Sequence, residues 1–469
     1  MIQKNDEYII TIESMGSEGE GIGRVDGYPL FVKDGVDGDK VKVKVIKTKK
    51  TYGYARLVEV LEPSPFRTMP RCGIARQCGG CQLQQVSYEK QLAYKEDKVK
   101  NCLTRIGGFK VASVLEKETS LPGAIQLEPI VGMEEPYYYR NKAQFPVGIN
   151  KEGHVSTGFY AARTHSIIET TDCLIQAKEN NELLTVVRDF LEEYHISIYD
   201  EISHKGLVRH ILTRVGFSTK EIMVCLVING DSLPHKEVLI ERLSKIPHMT
   251  SICININTEK TNVILGDKVK TLWGQPYITD FIGDVKFRIS PLSFFQVNPL
   301  QTLKLYQQAL DYADLQGDEI VWDLYCGIGT ISLFLARKAK QVYGVEIVPQ
   351  AIEDAKINAE LNGIENAQFY VGAAEEIVPQ KYKEEGIYAD VIMIDPPRKG
   401  CVQSLLDTIV AMAPKKVVYV SCDPATLARD LKYLAEHGYE VKKARPVDMF
   451  GHSPHVETVA LLSKLQTEV

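Results

Sequence analysis

The chain has 469 residues, of which 44% are hydrophobic and 25% charged, and its net charge is −6. This composition is typical of globular proteins. At roughly one domain per 150 residues, the length predicts about three domains. The negative net charge excludes a protein that binds nucleic acid through a uniformly basic surface, although it allows a local basic face. Ten cysteines are too few for a disulfide scaffold in a chain of this length.

The sequence predicts a cytoplasmic protein with reduced thiols and no contact with a membrane. No apolar run approaches the roughly 20 residues of a membrane-spanning helix. The opening segment MIQKNDEYII lacks the apolar core and the small-residue cleavage site of a signal peptide. Cysteines in such a protein serve as metal ligands, nucleophiles or core residues more often than as disulfides.

Residues 1–65 are typical of five short strands separated by turns, which predicts a small OB-like β-barrel. Lysines alternate with valines from Lys40 onwards, so the valines should face the barrel core. Seven basic residues and no acidic one lie between Lys40 and Arg56, with Tyr52 and Tyr54 among them. A basic stripe with aromatic side chains favours RNA binding, and the alternative is an ordinary solvated face.

Residues 66–285 mix a cysteine group, a helix over about 87–106 and several strand-like segments, which predicts a central α+β domain. The segment YYYRNKAQFPV carries Arg140 and Lys142 after three tyrosines. Such a segment can stack on bases and neutralise phosphates, or it can form an ordinary amphipathic strand. The sequence leaves both interpretations open.

From residue 286 to 469, apolar strands alternate with helices, which predicts a doubly wound, mostly parallel α/β sheet. One strand runs into a loop with Gly327 and Gly329, and the next strand ends at Glu346, nineteen positions after Gly327. Glycines followed by a carboxylate at this spacing are typical of a site for a ribose-bearing ligand. Because position 332 is serine and no phosphate loop follows, we expect an adenosine without phosphates, and S-adenosylmethionine is the candidate.

The chain resembles the RNA uracil-5-methyltransferases of class I, and most of all the bacterial 23S rRNA branch with an N-terminal TRAM domain. The motifs that carry the resemblance follow one another in the family's order: SFFQVNP (293–299), DLYCGIGT (323–330), GVEI (344–347), IDPPRKG (394–400), SCDP (421–424) and HVETV (455–459). The stretch GSEGEGIGRVDGYPLFVKDGVDGD (16–39) resembles TRAM. The resemblance implies a monomeric enzyme that forms 5-methyluridine in 23S rRNA, at a loop or single-stranded uridine that is flipped out of its stack.

The resemblance also implies roles for individual residues. It assigns the nucleophile to Cys422 and the general base to Glu457. The residues expected to bind the cofactor are Gln296, Tyr325, Gly327, Glu346 and Asp395, of which Asp395 is implied to contact either the cofactor or the target base.

The chemistry of uracil explains why a cysteine and a base are needed. Uracil C5 is a poor nucleophile until a thiolate adds to C6, and a base must later remove the C5 proton. An ordinary thiol has a pKa near ~8.5, so we expect either a lowered pKa at Cys422 or loss of its proton during attack. His455 is a rival for the role of base. The rival thiols are Cys326, Cys401, Cys225 and Cys253.

Cys72, Cys78 and Cys81 form the pattern C-x5-C-x2-C, which is typical of a metal site. Four thiolates bind zinc or an iron–sulfur cluster, and spacing does not separate the two. The fourth ligand is either Cys102 or Cys173. The resemblance favours Cys173 and a 4Fe-4S cluster.

Three alternatives stay open from the sequence. Asp-Pro-Pro also occurs in RNA amino-methyltransferases, and cytosine-C5 methylation uses related chemistry. A non-catalytic RNA-binding or ribosome-assembly factor with a cysteine module is the alternative from another class. TRAM domains also accompany radical methylthiotransferases, but their cysteine spacing differs from the spacing here.

Overall fold

The computed structural model describes residues 2–113, 122–161 and 164–465. The chain divides into two compact units, each built from several segments. The first comprises Met1–Lys98, Phe159–Ile168 and Phe450–His455; the second comprises Val99–Gly158, Glu169–Met449 and Val456–Val469. The domain boundaries predicted at residues 65 and 285 stay predictions. No helix in the described ranges is long and apolar enough to cross a membrane.

The secondary structure of the described residues falls into three stretches. The first contains β1 (Glu7–Met15), β2 (Gly21–Val25), β3 (Tyr28–Lys33), β4 (Lys40–Thr48) and β5 (Gly53–Glu62). The next contains α1 (Tyr88–Arg105), β6 (Val111–Ser113), β7 (Ile125–Leu127), β8 (Lys142–Ile149), β9 (Val155–Tyr160), β10 (Ile167–Glu169), α2 (Asn180–Glu193), β11 (Val208–Val215), β12 (Ile222–Ile228), α3 (Lys236–Leu243), β13 (Met249–Ile256), β14 (Lys268–Gly274), β15 (Ile278–Ile282) and β16 (Val285–Ile289). The last contains α4 (Pro299–Ala313), β17 (Ile320–Leu324), α5 (Thr330–Ala336), β18 (Gln341–Glu346), α6 (Pro349–Leu361), β19 (Ala367–Val371), α7 (Ala374–Glu385), β20 (Val391–Ile394), α8 (Gln403–Met412), β21 (Lys416–Ser421), α9 (Pro424–Glu436), β22 (Tyr439–Val447) and β23 (Glu457–Lys464).

The first five strands close into a barrel in the order β1-β2-β3-β5-β4. Val41, Val43 and Val45 of β4 are fully buried in its core, because side chains two apart on a strand lie on the same face. The intervening lysines lie on the outer face. This confirms the predicted small barrel.

Part of the basic stripe on this barrel is neutralised by acidic neighbours. Lys40 pairs with Glu62 at 2.7 Å, and Lys42 pairs with Glu7 at 2.8 Å. Such exposed pairs contribute little to stability because water and salt screen them, but they reduce the net charge of the face. The five remaining basic residues form no salt bridge within the described ranges, although the charges of Lys44 and Arg56 act on the Glu7 carboxylate; the five are Lys44, Lys47, Lys49, Lys50 and Arg56.

An aromatic cluster accompanies the unpaired lysines of the barrel. The ring centroids of Phe31, Tyr52 and Tyr54 lie 5.6 to 5.8 Å from one another. All three side chains are partly exposed, so their rings are not sealed inside the barrel core. Aromatic rings beside free lysines are the combination that single-stranded nucleic acids bind.

A mixed sheet of seven strands has the order β10-β9-β8-β11-β12-β13-β14, and β8 and β11 to β14 belong to the second unit. Among the pairs from β9 to β14, β12 and β13 run parallel and the others are antiparallel. Every residue of β11 and β12 is buried, so both faces of the sheet are covered at these two strands. The arrangement agrees with the α+β character predicted for this part of the chain.

The second unit also contains a nine-stranded sheet in the order β19-β18-β17-β20-β21-β23-β22-β7-β6. The five strands β17 to β21 run parallel to one another, as the alternation of strands and helices predicts. β23 lies antiparallel between β21 and β22. In such sheets ligands bind at the carboxyl ends of the parallel strands, where the strand order reverses. Here the order reverses between β17 and β20, so a ligand is expected beside the residues that follow these strands.

Candidate active site

Cys422 lies directly after β21, at the carboxyl edge of the nine-stranded sheet. The Asp423 carboxylate accepts hydrogen bonds from the backbone N–H groups of Ala425 and Thr426 at 2.9 and 3.0 Å, which caps α9. The Ser421 hydroxyl donates to the Asp423 carbonyl oxygen at 3.0 Å. Cys422 is therefore fixed between the end of a strand and the start of a capped helix.

The register of β21 and β23 places Glu457 opposite this thiol. Ser421 pairs with Thr458 in the antiparallel ladder, so one further step along the register sets Cys422 across from Glu457. The Glu457 side chain is 4% exposed. Two groups that are 35 positions apart in the sequence thus meet at one point of the sheet edge.

Two more charged groups act on this pair. Burial and then the carboxylate of Asp395, which follows β20, raise the pKa of Glu457 to about 8, while Arg398 acts to lower it. Burial raises the pKa of Asp395 to about 7. The site therefore contains two carboxyl groups that titrate near neutral pH, a range in which carboxyl groups can both take up and release protons.

The thiol itself is not activated in advance. Burial, followed by the charges of Glu457 and Asp395, raises the pKa of Cys422 to about 12, although Arg398 and a backbone hydrogen bond at Cys422 act in the opposite direction. A lowered pKa of Cys422 was one of the two expected routes to a thiolate, and this structure does not show it. The route that agrees with it is loss of the thiol proton during attack, because a neighbouring carboxylate can accept that proton.

We expect the protein to lose stability as the pH rises through the titration of Glu457. The folded state holds this proton up to about pH 8, whereas an unfolded glutamate releases it near 4.5, so the free energy of unfolding falls between these values. Glu457→Gln removes this pH-dependent part of the free energy of unfolding, which is on the order of a few kcal/mol. Urea unfolding of both proteins from pH 5 to pH 8 measures the effect, and parallel curves would contradict it.

A hydrogen-bonded clamp holds the loop of residues 395–401, which carries Arg398, against α9. The buried Asp430 carboxylate accepts from the Cys401 backbone N–H at 2.8 Å and from the Tyr419 hydroxyl at 2.7 Å. The Thr426 hydroxyl donates to the Arg398 carbonyl oxygen at 3.2 Å. Because α9 begins two residues after Cys422, the same helix positions both the thiol and the loop of Arg398.

Gly400→Ala is expected to weaken this clamp. Gly400 has φ +74°, and an added Cβ would lie 2.5 Å from Oδ2 of Asp430 and 2.6 Å from Nη2 of Arg429. The left-handed backbone alone costs about 1–2 kcal/mol for an L-residue, so we expect a lower melting temperature together with a loss of activity. Gly363→Ala is the matched control, because it has φ +63° and no atom within 4 Å of the added Cβ.

The loop after β17 has the features of a site for a nucleoside. Tyr325 has φ +69° and Gly327 φ +55°, and a Cβ at Gly327 would meet no atom within 4 Å. The Glu346 carboxylate accepts from the backbone N–H groups of Gly327 at 3.3 Å and of Val348 at 3.0 Å. A carboxylate has about four acceptor positions, so Glu346 keeps capacity for ribose hydroxyls. The open space and the oriented carboxylate fit the predicted cofactor.

Gln296 lies in the loop that precedes α4. Gln296 is 8% exposed, and its backbone carbonyl oxygen accepts a hydrogen bond from Nδ2 of Asn141 at 3.0 Å. Two positions earlier, Phe294 is 68% exposed, whereas Phe295 is 2% exposed and packs on Phe287. Phe294 is thus available to a ligand and Phe295 is a core residue.

Sequence reasoning did not single out Asp323, which precedes the loop on β17. Its side chain is fully buried, the Ser332 hydroxyl donates to its Oδ2, and its Oδ1 has no hydrogen-bond partner in the described chain. Burial raises its pKa to about 7. The signal in the sequence that could have revealed Asp323 is a carboxylate within an otherwise apolar strand. Arg398 and Asp430 were also missed, since their roles depend on contacts between separate elements.

The rival thiols lie in other surroundings. Cys326 and Cys401 are 4% and 6% exposed, and the Cys401 sulfur lies 3.5 Å from the Tyr419 hydroxyl. Cys225 and Cys253 are fully buried partners on β12 and β13. Cys422 is more exposed than these four. Its neighbouring carboxylates further distinguish it as the nucleophile candidate.

The predicted cluster cysteines are divided between the two units. Cys72, Cys78 and Cys81 belong to the first unit and are partly exposed, and Cys173 belongs to the second. The Gly80 N–H donates to the Cys78 sulfur at 3.3 Å, as it would to a thiolate ligand. Within ranges 2–113, 122–161 and 164–465, however, no three Cys, His, Asp or Glu side chains are arranged to hold a metal ion. The arrangement does not show the fit of a cluster, which stays a prediction from the resemblance.

Comparison with known proteins finds a family match for each of two parts of the chain. The profile of the family described as tRNA (Uracil-5-)-methyltransferase matches residues 275–465, and that of the TRAM domain matches residues 3–58. An uncharacterized RNA methyltransferase of Halalkalibacterium halodurans is 52% identical over 98% of each chain. One of Clostridium tetani is 50% identical over 98% of this chain and 97% of its own.

Among solved structures, the Pyrococcus abyssi tRNA (uracil-54, C5)-methyltransferase in complex with S-adenosyl-L-homocysteine is similar over almost the whole chain. It is 28% identical, with a TM-score of 0.75 over 97% of this chain and 100% of its own. These similarities agree with an α/β methyltransferase fold that carries a small N-terminal barrel. The chain therefore belongs to the RNA uracil-5-methyltransferase family.

Proposed function

We propose that this protein is a monomeric, cytoplasmic enzyme that uses S-adenosylmethionine to methylate uracil C5 in 23S rRNA through a covalent cysteine adduct. The observation that carries the proposal is the position of Cys422 opposite Glu457, with Asp395 and Arg398 acting on both. A nucleophile and a base at one sheet edge are the two groups that C5 methylation requires.

The residues proposed to hold the cofactor surround the same edge. Glu346 would bind the ribose hydroxyls, and Gly327 leaves space for the ligand to approach the backbone. Tyr325, Gln296 and Asp395 complete the proposed set. The S-adenosyl-L-homocysteine complex of the Pyrococcus abyssi enzyme supports this assignment. When bound, S-adenosylmethionine supplies an electrophilic methyl group.

In the proposed reaction Cys422 gives its proton to a carboxylate of the site while its sulfur bonds to uracil C6. The electrons of the C5–C6 double bond move towards C5 and O4, which makes C5 nucleophilic. After C5 is methylated, Glu457 takes the C5 proton. The electrons of that bond restore the C5–C6 double bond and the sulfur–C6 bond breaks. The departing thiolate takes back the proton that the first carboxylate accepted, which regenerates the thiol. Each step uses a group at the sheet edge.

The choice of 23S rRNA rests on the resemblance, because the tRNA-directed branch typically lacks both TRAM and the cysteine group. The Pyrococcus abyssi enzyme, which is named for tRNA, covers 97% of this chain. The overall fold is therefore compatible with either 23S rRNA or tRNA as the substrate. The exposed aromatic cluster and the unpaired lysines of the barrel support an RNA substrate with unpaired bases.

The test is methyl transfer to unmodified 23S rRNA and to unmodified tRNA, with labelled S-adenosylmethionine and nucleoside analysis of the product. We expect label in 5-methyluridine from 23S rRNA. Label in tRNA alone would refute the proposed substrate, and label in cytidine or in an exocyclic amine would refute the proposed base chemistry. RNA binding without any transfer would favour a non-catalytic RNA-binding factor.

We also propose that Cys72, Cys78, Cys81 and Cys173 bind a 4Fe-4S cluster with a structural role. The support is the spacing of the first three cysteines, the soft thiolate donor set and the N–H of Gly80 directed at Cys78. Anaerobic purification followed by iron, sulfide and zinc analysis tests this. Zinc without iron would refute the iron–sulfur assignment, and Cys102→Ala is the control that should leave the iron content unchanged.

A further inference from the structure

Two basic side chains face each other across neighbouring strands of the mixed sheet. Lys142 on β8 is the direct partner of Arg214 on β11 in the antiparallel ladder, so both side chains lie on the same face. Arg214 is 2% exposed, and Lys142 is partly buried. Like charges directly opposite each other destabilise a sheet, and burial from water increases that cost.

No acidic group compensates this pair within the described part of the chain. Arg214 donates from Nη2 to the carbonyl oxygens of Pro291, at 3.4 Å, and of Ser293, and its buried Nε has no hydrogen-bond partner there. Burial and then the charge of Arg214 lower the pKa of Lys142 to about 7. Burial lowers the pKa of Arg214 to about 10. Two uncompensated cations are costly in the free protein, and an anion placed between them would remove most of that cost.

The pair borders the loop that carries Gln296. Asn141, which precedes Lys142, donates from its backbone N–H to the Val297 carbonyl oxygen at 2.8 Å and from Nδ2 to the Gln296 carbonyl oxygen at 3.0 Å. Arg214 is bonded to the Ser293 carbonyl oxygen in the same loop. The uncompensated charge therefore lies beside a segment of the candidate active site.

We propose that Lys142 and Arg214 form a phosphate-binding subsite that holds a phosphodiester of the substrate RNA beside the target uridine. The subsite rests on the proposed function, because it assumes an RNA at the neighbouring loop. RNA carries one uncompensated negative charge per nucleotide. S-adenosylmethionine pairs its carboxylate with an ammonium and a sulfonium, so it cannot neutralise two cations. Gln144, on the same face two positions along β8, adds an amide donor beside them.

The proposal predicts that Lys142→Gln has opposite effects on stability and on binding. Without RNA, the variant should melt at a higher temperature than the wild type, because the like-charge contact with Arg214 is removed. Its affinity for a short single-stranded uridine-rich RNA should fall by roughly tenfold, as expected for one charge-assisted contact. The slope of log affinity against log salt should fall by about 0.7, as for one phosphate contact in a single strand.

Fluorescence anisotropy of the labelled oligonucleotide across a salt series, without cofactor, measures the binding, and calorimetry measures melting and S-adenosyl-L-homocysteine affinity. Lys245→Gln is the matched control, since Lys245 is exposed and paired with Glu241 at 2.8 Å. Lys142→Arg should restore RNA affinity. A lower melting temperature for Lys142→Gln would indicate a structural role and overturn the proposal.

Two other outcomes would also overturn the proposal: unchanged RNA affinity, or a loss confined to S-adenosyl-L-homocysteine binding. The proposed function is judged separately, by methyl transfer from the wild-type protein. If the wild type methylates uridine but Lys142→Gln binds RNA normally, only the subsite fails. If the variant shows the expected binding defect but the wild type transfers no methyl group, only the proposed function fails.

Discussion

Cys422→Ala is expected to lower methyl transfer by about 10⁴-fold or more, the loss typical of removing an enzyme's nucleophile. Without the thiol, no group can add to C6, and C5 does not become nucleophilic. The rate of label transfer to RNA under single-turnover conditions measures the effect. Cys401→Ala is the control, because the Cys401 thiol packs against Tyr419 and should leave the transfer rate within a fewfold of the wild-type rate.

The same cysteine should also be the point of covalent attachment. RNA carrying 5-fluorouridine at the target is expected to form a stable adduct with the wild-type protein, because a base cannot remove fluorine as it removes a proton. The adduct should resist denaturing electrophoresis and should map to the peptide that contains Cys422. Retained activity in Cys422→Ala, or an adduct at another thiol, would contradict the covalent mechanism.

Glu457→Gln is expected to trap a methylated RNA–protein adduct formed with ordinary uridine. The amide cannot accept the C5 proton, so the bond between sulfur and C6 does not break after methylation. Loss of a general base typically lowers the rate by about 10²–10⁴-fold. Here the slowed step should be the release of the methylated RNA. Mass spectrometry of the adduct should show one methyl group beyond the mass of the RNA–protein complex.

His455→Gln separates Glu457 from its rival. If Glu457 is the base, this variant should release methylated RNA normally and should accumulate no adduct. Normal turnover by Glu457→Gln, together with trapping by His455→Gln, would move the role to the histidine. Free RNA without any adduct in Glu457→Gln would place the failure before methyl addition and contradict the role of Glu457 in product release.

Elements with a clear local pattern could be predicted from the sequence. The alternation of valine and lysine in β4 and the strand–helix alternation after residue 286 both depend on periodicities that neighbouring residues impose on one another. The loop of Gly327 and the carboxylate of Glu346 were found for the same reason, since a strand, a turn and a helix follow one another directly in the chain. Pairings between distant segments were not predictable in this way. Examples are the position of β23 between β21 and β22 and the addition of β6 and β7 to the same sheet.

The barrel, the alternating α/β architecture and, through the motifs, the family and the candidate nucleophile and base were all predictable from the amino-acid sequence. How these groups act on one another depends on the tertiary structure. The raised pKa values of Cys422 and Glu457, the clamp between Asp430 and the loop of Arg398, and the facing charges of Lys142 and Arg214 all depend on burial and on distances across separate elements. The physical reason is that periodicity is a property of adjacent residues, whereas electrostatic interaction depends on separation in space and on exclusion of water.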